Sequence, residues 1–134
     1  FGAPFMPRLA SVYAEMLGEK ISTHNTAVYL INTGWSGGPY GVGKRIKIEY
    51  SRAMVTAVIN GSLDIVKFSH NDLFNLDVPT KCPGVPSEVL EPRNTWVDKD
   101  SYDLSAKKLA QMFVDNFKKF EDVSEEISLA GPKL

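Results

Sequence analysis

The sequence predicts an α/β fold, a mixed sheet with packed helices, and three patterns point to it. Apolar residues recur at helical spacing near both ends, a short β-branched apolar run lies between them, and glycines and prolines keep the intervening elements short. Val12, Tyr13, Met16, Leu17 and Ile21 share one helical face, so Ala10 to about Lys20 is expected to be an amphipathic helix. Ala27-Val28-Tyr29-Leu30-Ile31 is apolar and partly β-branched and ends in the turn signal Asn32-Thr33-Gly34, which predicts a buried strand. A glycine-rich loop follows from Gly34 to Gly43. Glycines at this density are expensive to order unless the backbone must come close to something.

Beyond the loop, Arg45-Ile46-Lys47-Ile48-Glu49-Tyr50 alternates and predicts a short extended segment. Ser51 is then expected to cap a helix through its hydroxyl, with Met54, Val55, Val58 and Ile59 on one face and Asn60-Gly61 at the end. Between Ile65 and Pro92, Val66-Lys67-Phe68 and Leu73 to Val78 are candidate short strands, and prolines 79, 83, 86 and 92 exclude long helices. The C-terminal helix is the clearest element. Leu109, Met112, Phe113, Asn116, Phe117 and Phe120 follow its period, forming a stripe expected to pack in a core, with docking to a partner or a membrane as the other use of such a face. These elements are few for closing a core unaided, and in a piece of something larger the apolar helix faces would need a partner.

Composition narrows the function classes. The 134 residues are 43% hydrophobic and 23% charged with a formal net charge of -1, as in an ordinary globular domain and unlike a general nucleic-acid binder. No apolar run approaches the roughly 18–20 residues that span a bilayer, so no membrane role is expected. Cys82 is alone, which excludes an internal disulfide; it is expected to be a small semi-buried thiol in an intracellular, cytoplasmic protein. The chain opens on Phe1, and its first residues have neither a basic region nor a long apolar stretch. They read as a sequence entered partway along rather than as a signal peptide.

The chemistry centres on Gly38-Pro39-Tyr40-Gly41-Val42-Gly43-Lys44-Arg45. This run meets every fixed position of the phosphate-loop pattern G-x-x-x-x-G-K-[ST] except the last. Arg45 cannot supply the hydroxyl that such a loop uses to hold Mg²⁺, and the alternation that follows is not the helix start that receives phosphate. A loop of that type is therefore rejected. Two readings remain open from spacing alone: a solvated turn with two surface cations, or a nucleotide contact. In the second, the Arg45 fork meets phosphate or ribose, Ile46 offers an apolar surface to a base, and Ser51 offers a hydroxyl one turn later.

Asn32-Thr33-Gly34-Trp35 and the glycine-rich stretch into Gly43-Lys44-Arg45-Ile46 closely resemble the ATP-dependent phosphoenolpyruvate carboxykinase family. Phe1-Gly2-Ala3-Pro4-Phe5 and Tyr13-Ala14-Glu15-Met16-Leu17 look like the segment that precedes this motif. Asn60-Gly61-Ser62-Leu63, Phe74-Asn75-Leu76, Val78-Pro79-Thr80, Pro83-Gly84-Val85-Pro86, Pro92-Arg93-Asn94-Thr95-Trp96 and Phe113-Val114-Asp115-Asn116-Phe117 then fall in family order. The end, Gly131-Pro132-Lys133-Leu134, resembles a family terminus, so the resemblance covers nearly the whole chain. It implies that residues 1–134 are the C-terminal portion of the ATP-binding domain of an enzyme that converts oxaloacetate and ATP to phosphoenolpyruvate, CO₂ and ADP, a gluconeogenic step using Mg²⁺ or Mn²⁺. The alternative is a non-catalytic nucleotide-binding or structural module of the same descent.

Carried over residue by residue, the resemblance has Arg45 contact the phosphate or ribose region, Ile46 pack on adenine, and Ser51 stand where the family usually has a nucleotide-bonding threonine. Pro7-Arg8-Leu9 departs from the Leu-His-Pro frequent in the family at that point. The family's phosphate loop, metal ligands and oxaloacetate-binding arginine are expected upstream. His24, His70, Asp72, Asp77 and Glu88 form no recognisable metal pattern, and no catalytic residue is assigned here. The missing N-terminal part of the enzyme is the expected partner, and the isolated chain is expected to be inactive.

Overall fold

The computed structural model describes residues 3–120 and 122–134. Phe1 and Gly2, which open the family resemblance, lie outside the described residues. After a 3₁₀ turn at Ala3–Phe5, helix α1 runs from Ala10 to His24, one turn longer than expected. It ends at Asn25, whose φ of 49° is left-handed and whose N–H bonds back to the Ile21 carbonyl.

The mixture of helices and strands is as predicted, but the single mixed sheet is not. Two separate antiparallel pairs take its place: β1 (Trp35–Ser36) with β2 (Lys44–Arg45), and β3 (Phe68–Asn71) with β4 (Leu76–Pro79). The predicted buried strand at Ala27–Ile31 is extended but pairs with no strand among the described residues. Tyr29 packs against the core, while Val28 and Leu30 project outward, Leu30 at 83% exposure. An apolar strand is buried only when neighbours cover its edges and both faces, and these described residues supply neither.

Helix α2 (Ile48–Ile59) starts three residues before Ser51, so the expected cap is also overturned. Lys47 is the capping residue, extended at φ -62° and ψ 139° and giving no side-chain cap, and Ser51 lies within the first turns. Tyr50 explains the shift. It joins Ala53, Met54, Ala57 and Val58 as a stripe on the core, and Glu49 suits the positive end of the helix. The helix ends at Asn60-Gly61 as predicted, with Gly61 at φ 71°. Val55 and Ile59, expected on the packed face, are exposed.

The core gathers Ala57, Leu63, Cys82 and Val85, ringed by Tyr29, Tyr50, Met54, Val66, Val89 and Leu90. Burial pushes the Cys82 thiol upward, as befits a packed thiol. The proline-rich stretch yields two four-residue helices, α3 (Ser87–Leu90) and α4 (Pro92–Thr95), the latter with Pro92 at its first position. Helix α5 (Lys99–Phe117) follows, capped by Asp98, whose side chain accepts from the Asp100 N–H at 3.0 Å and the Ser101 hydroxyl at 2.6 Å. The Ser101 bond is the main reason that the Asp98 carboxyl sits below its ordinary range. Helix α6 (Glu125–Leu129), capped by Ser124, closes the chain.

The stripe on α5 is not a core stripe. Its buried residues are Ala106 and Ala110, whereas Leu109, Met112 and Phe113 stay about half exposed. The accessible surface is 10383 Å². A compact monomer of 14.8 kDa would expose about 7,000 Å². Apolar side chains that these elements leave uncovered, such as Leu30, Ile59 and Ile65, are part of the excess.

Candidate functional site

The hairpin β1–β2 carries the residues singled out by sequence. Trp35 pairs with Arg45 and Ser36 with Lys44, and the Ile46 N–H donates to the Gly34 carbonyl at 2.9 Å. Gly34 is held in turn by the Asn32 side chain, which accepts its N–H at 2.9 Å, so the Asn-Thr-Gly signal is an Asx turn leading into the hairpin. At the tip, the Pro39 carbonyl accepts from both Val42 and Gly43, and the Trp35 and Tyr40 rings meet edge to face at 5.2 Å.

Three glycines are demanded by close approach, among them Gly38, whose φ is 149° and where a Cβ would stand 2.9 Å from the Gly43 amide nitrogen. Gly37 has φ 78°, and a Cβ there would stand 2.9 Å from the Thr95 carbonyl oxygen. A Cβ on Gly43 would meet backbone atoms of Ser36 and Gly38 from across the hairpin. The loop is thus folded tightly on itself and on α4, which accounts for these glycines without any ligand.

Arg45 ends β2, exposed; Ile46 is half-buried; Ser51 is half-buried on α2. One continuous stretch, from strand to extended link to helix, carries all three. The alternation expected through Tyr50 gives way to helix at Ile48, yet the grounds for rejecting a phosphate loop survive: Lys44-Arg45 is strand, and two residues separate it from α2. Among the described residues neither Lys44 nor Arg45 enters an ion pair. Lys47, by contrast, bonds Glu49 at 3.3 Å and lies 5.4 Å from the centre of the Tyr50 ring. The Glu49 hydrogen bond is the first reason that the Lys47 ammonium titrates above its ordinary range.

Sequence reasoning missed a second polar group. The register of β3 and β4 sets His70 opposite Asp77, with Nδ1 2.8 Å from the carboxylate, while Asp72 lies 4.0 Å from the other ring nitrogen. The signal was present only as hairpin register, which the candidate strand boundaries misplaced. The two carboxylates approach opposite ring nitrogens and do not converge. Among the described residues no group of three or more His, Cys, Asp or Glu side chains is placed to hold a metal ion. The described residues offer no such cluster to a divalent cation, and no chemical step is assigned to one here. Beside this pair, a hollow of about 380 Å³ opens between the β3–β4 turn and α5, lined by residues including Asn71, Arg93, Tyr102 and Asp103; Arg45, Ile46 and Ser51 do not line it. Among the described residues no helix is long and apolar enough to cross a membrane.

The architecture defines an α/β segment whose distinguishing site is a glycine-tightened hairpin presenting two adjacent cations. Comparison with known proteins is specific. Residues 1–88 match the family model for phosphoenolpyruvate carboxykinase of the ATP type. The chain is 62% identical over 133 residues to the phosphoenolpyruvate carboxykinase (ATP) of Caldanaerobacter subterraneus subsp. tengcongensis, covering 99% of this chain and 26% of that protein. It is 61% identical over 134 residues to the like-named protein of Fusobacterium nucleatum, again 99% and 26%. It is 58% identical over 132 residues to phosphoenolpyruvate carboxykinase (ATP) 2 of Moorella thermoacetica, 98% and 25%. The chain belongs to the ATP-dependent phosphoenolpyruvate carboxykinase family, and it spans about a quarter of the length of these relatives.

Proposed function

We propose that this chain is the C-terminal portion of the ATP-binding domain of a phosphoenolpyruvate carboxykinase and forms one wall of its nucleotide site. The whole enzyme would convert oxaloacetate and ATP to phosphoenolpyruvate, CO₂ and ADP, a step suited to gluconeogenesis in the cytoplasm. The observation that carries the reading is the exposed Arg45, paired with no carboxylate among the described residues, at the end of a hairpin held by backbone contacts. A guanidinium in that setting offers a planar fork to a phosphate or ribose at small cost in ordering, because its strand is already fixed. Ile46, half-buried beside it, supplies an apolar surface to adenine, and Ser51 supplies a hydroxyl.

Phosphoryl transfer to an enolate depends on alignment and on neutralising charge on the phosphates. This segment contributes the first, and through Arg45 a share of the second. Mg²⁺ or Mn²⁺, held by residues outside this chain, would supply the remaining charge neutralisation. Holding ATP in register speeds the reaction without touching a breaking bond. The remainder of the same enzyme is the partner that covers the outer side of Ala27–Ile31 and the apolar stripe of α5, consistent with the surface these leave open.

Hydrogen exchange in the full-length enzyme tests the reading. ATP is expected to slow amide exchange across residues 34–46 and the first turns of α2, and oxaloacetate alone is not. Exchange there that is indifferent to ATP contradicts the assignment. In parallel, the isolated chain supplied with ATP, oxaloacetate and Mn²⁺ is expected to form no phosphoenolpyruvate; metal-dependent product formation by it would overturn the division of labour.

A further inference from the structure

The short helix α4 is remote from the glycine hairpin in sequence, Thr95 standing 59 positions after Ser36, yet touches it directly. The Ser36 hydroxyl donates to Thr95 Oγ1 at 3.0 Å, and Thr95 Oγ1 donates to the Pro92 carbonyl at 2.7 Å. Gly37, the next residue of the hairpin, lies so close that a Cβ there would stand 2.9 Å from the Thr95 carbonyl oxygen. Contact is thus made by a side chain and by backbone at adjacent positions.

The α4 turn is itself clamped to the long helix. Arg93 forms a bidentate pair with Asp103 through bonds of 2.9 and 3.0 Å, and Lys99 Nζ donates to the carbonyls of Arg93 at 2.7 Å and Trp96 at 2.9 Å. The Trp96 and Tyr102 rings meet edge to face at 5.7 Å. Hydrogen bonding to Arg93 is the first cause of the lowered Asp103 carboxyl. An element of four residues would otherwise fray; here its backbone is fixed from both sides.

The other end of this chain of contacts is the candidate nucleotide residue. Ser36 is the β1 partner of Lys44, and Trp35 is the partner of Arg45. A pair of two-residue strands is marginal alone, so its position is set by what it rests on. We propose that Thr95 is a positioning residue for the nucleotide: through Ser36 and Gly37 it seats the hairpin on α4 and α5 and thereby fixes where Arg45 meets ATP. The proposal rests on the nucleotide reading of Arg45.

The test uses the full-length carboxykinase carrying this segment, with Thr95→Val, Thr95→Ser, Gly37→Ala and Arg45→Ala compared by steady-state kinetics and thermal melting. Thr95→Val keeps the shape but removes the hydroxyl. It is expected to raise KM for ATP about fivefold, the effect of one net hydrogen bond, with KM for oxaloacetate unchanged. Thr95→Ser is expected to restore the wild-type ATP value, and Gly37→Ala to reproduce the Thr95→Val defect by lifting the hairpin from α4. An equal rise in both KM values, or a fall in melting temperature without a selective ATP effect, overturns the positioning role. If Arg45→Ala raises KM for ATP and neither Thr95→Val nor Gly37→Ala does, positioning through α4 falls while the nucleotide reading stands. If none of the three raises it, both fall.

Discussion

Replacing Gly43 with alanine is expected to remove most of the ATP affinity of the full-length enzyme. The new methyl group would stand 2.6 Å from the Ser36 carbonyl oxygen and 2.8 Å from the Gly38 amide nitrogen, and would collide with the Gly38 carbonyl oxygen. All three obstacles are backbone, so no rotamer change relieves them. Ser36 and Gly38 can yield only if the hairpin opens, which separates Lys44 and Arg45 from their partners in β1. Overpacking of this kind costs about 3 kcal/mol at the upper end of its usual range. If that strain is relieved by opening the hairpin, KM for ATP is expected to rise on the order of a hundredfold. Steady-state kinetics check this, with the melting temperature showing whether damage stays local. A Gly43→Ala enzyme with ordinary ATP kinetics would mean that the hairpin does not hold the nucleotide residues.

The local signals of this sequence were legible where they depend on neighbouring residues alone. Helical period gave α1, α2 and α5, the Asn60-Gly61 stop lies where it was expected, and the glycine density marked the tight hairpin. The errors share a cause. Ala27–Ile31 reads as a buried strand because its residues suit one, but burial depends on neighbours that the described elements do not contain. The stripe of Leu109, Met112 and Phe113 has helical period and little cover for the same reason. Ser51 reads as a cap because serine is a good one, whereas Tyr50 has a core to reach and draws the helix start back to Ile48. Tertiary packing overrode local preference there.

For the site, residue chemistry left a solvated turn and a nucleotide contact both open, and only the family resemblance singled out Arg45, Ile46 and Ser51 as a nucleotide contact; all three lie on one continuous strand-to-helix stretch. The contact between Ser36 and Thr95 was not legible, since nothing in either segment specifies the other. The His70–Asp77 pair was hidden for a different reason: it depends on a hairpin register that a one-residue slip would destroy.

Arg45→Ala carries the second large effect. The exposed guanidinium pairs with no carboxylate among the described residues, so its removal leaves no orphaned partner in this segment, and its expected effect falls on ligand binding. A hydrogen bond to a charged group contributes about 1.5–3 kcal/mol, which corresponds to a rise in KM for ATP of about 10- to 100-fold. Arg45→Lys should fall between the two, keeping charge but losing the planar fork. The decisive comparison is KM for ATP against KM for oxaloacetate in Arg45→Ala and wild-type full-length enzyme. A rise of tenfold or more for ATP, with the oxaloacetate value and melting temperature held, is the expected result; unchanged ATP kinetics would contradict a nucleotide site at this hairpin.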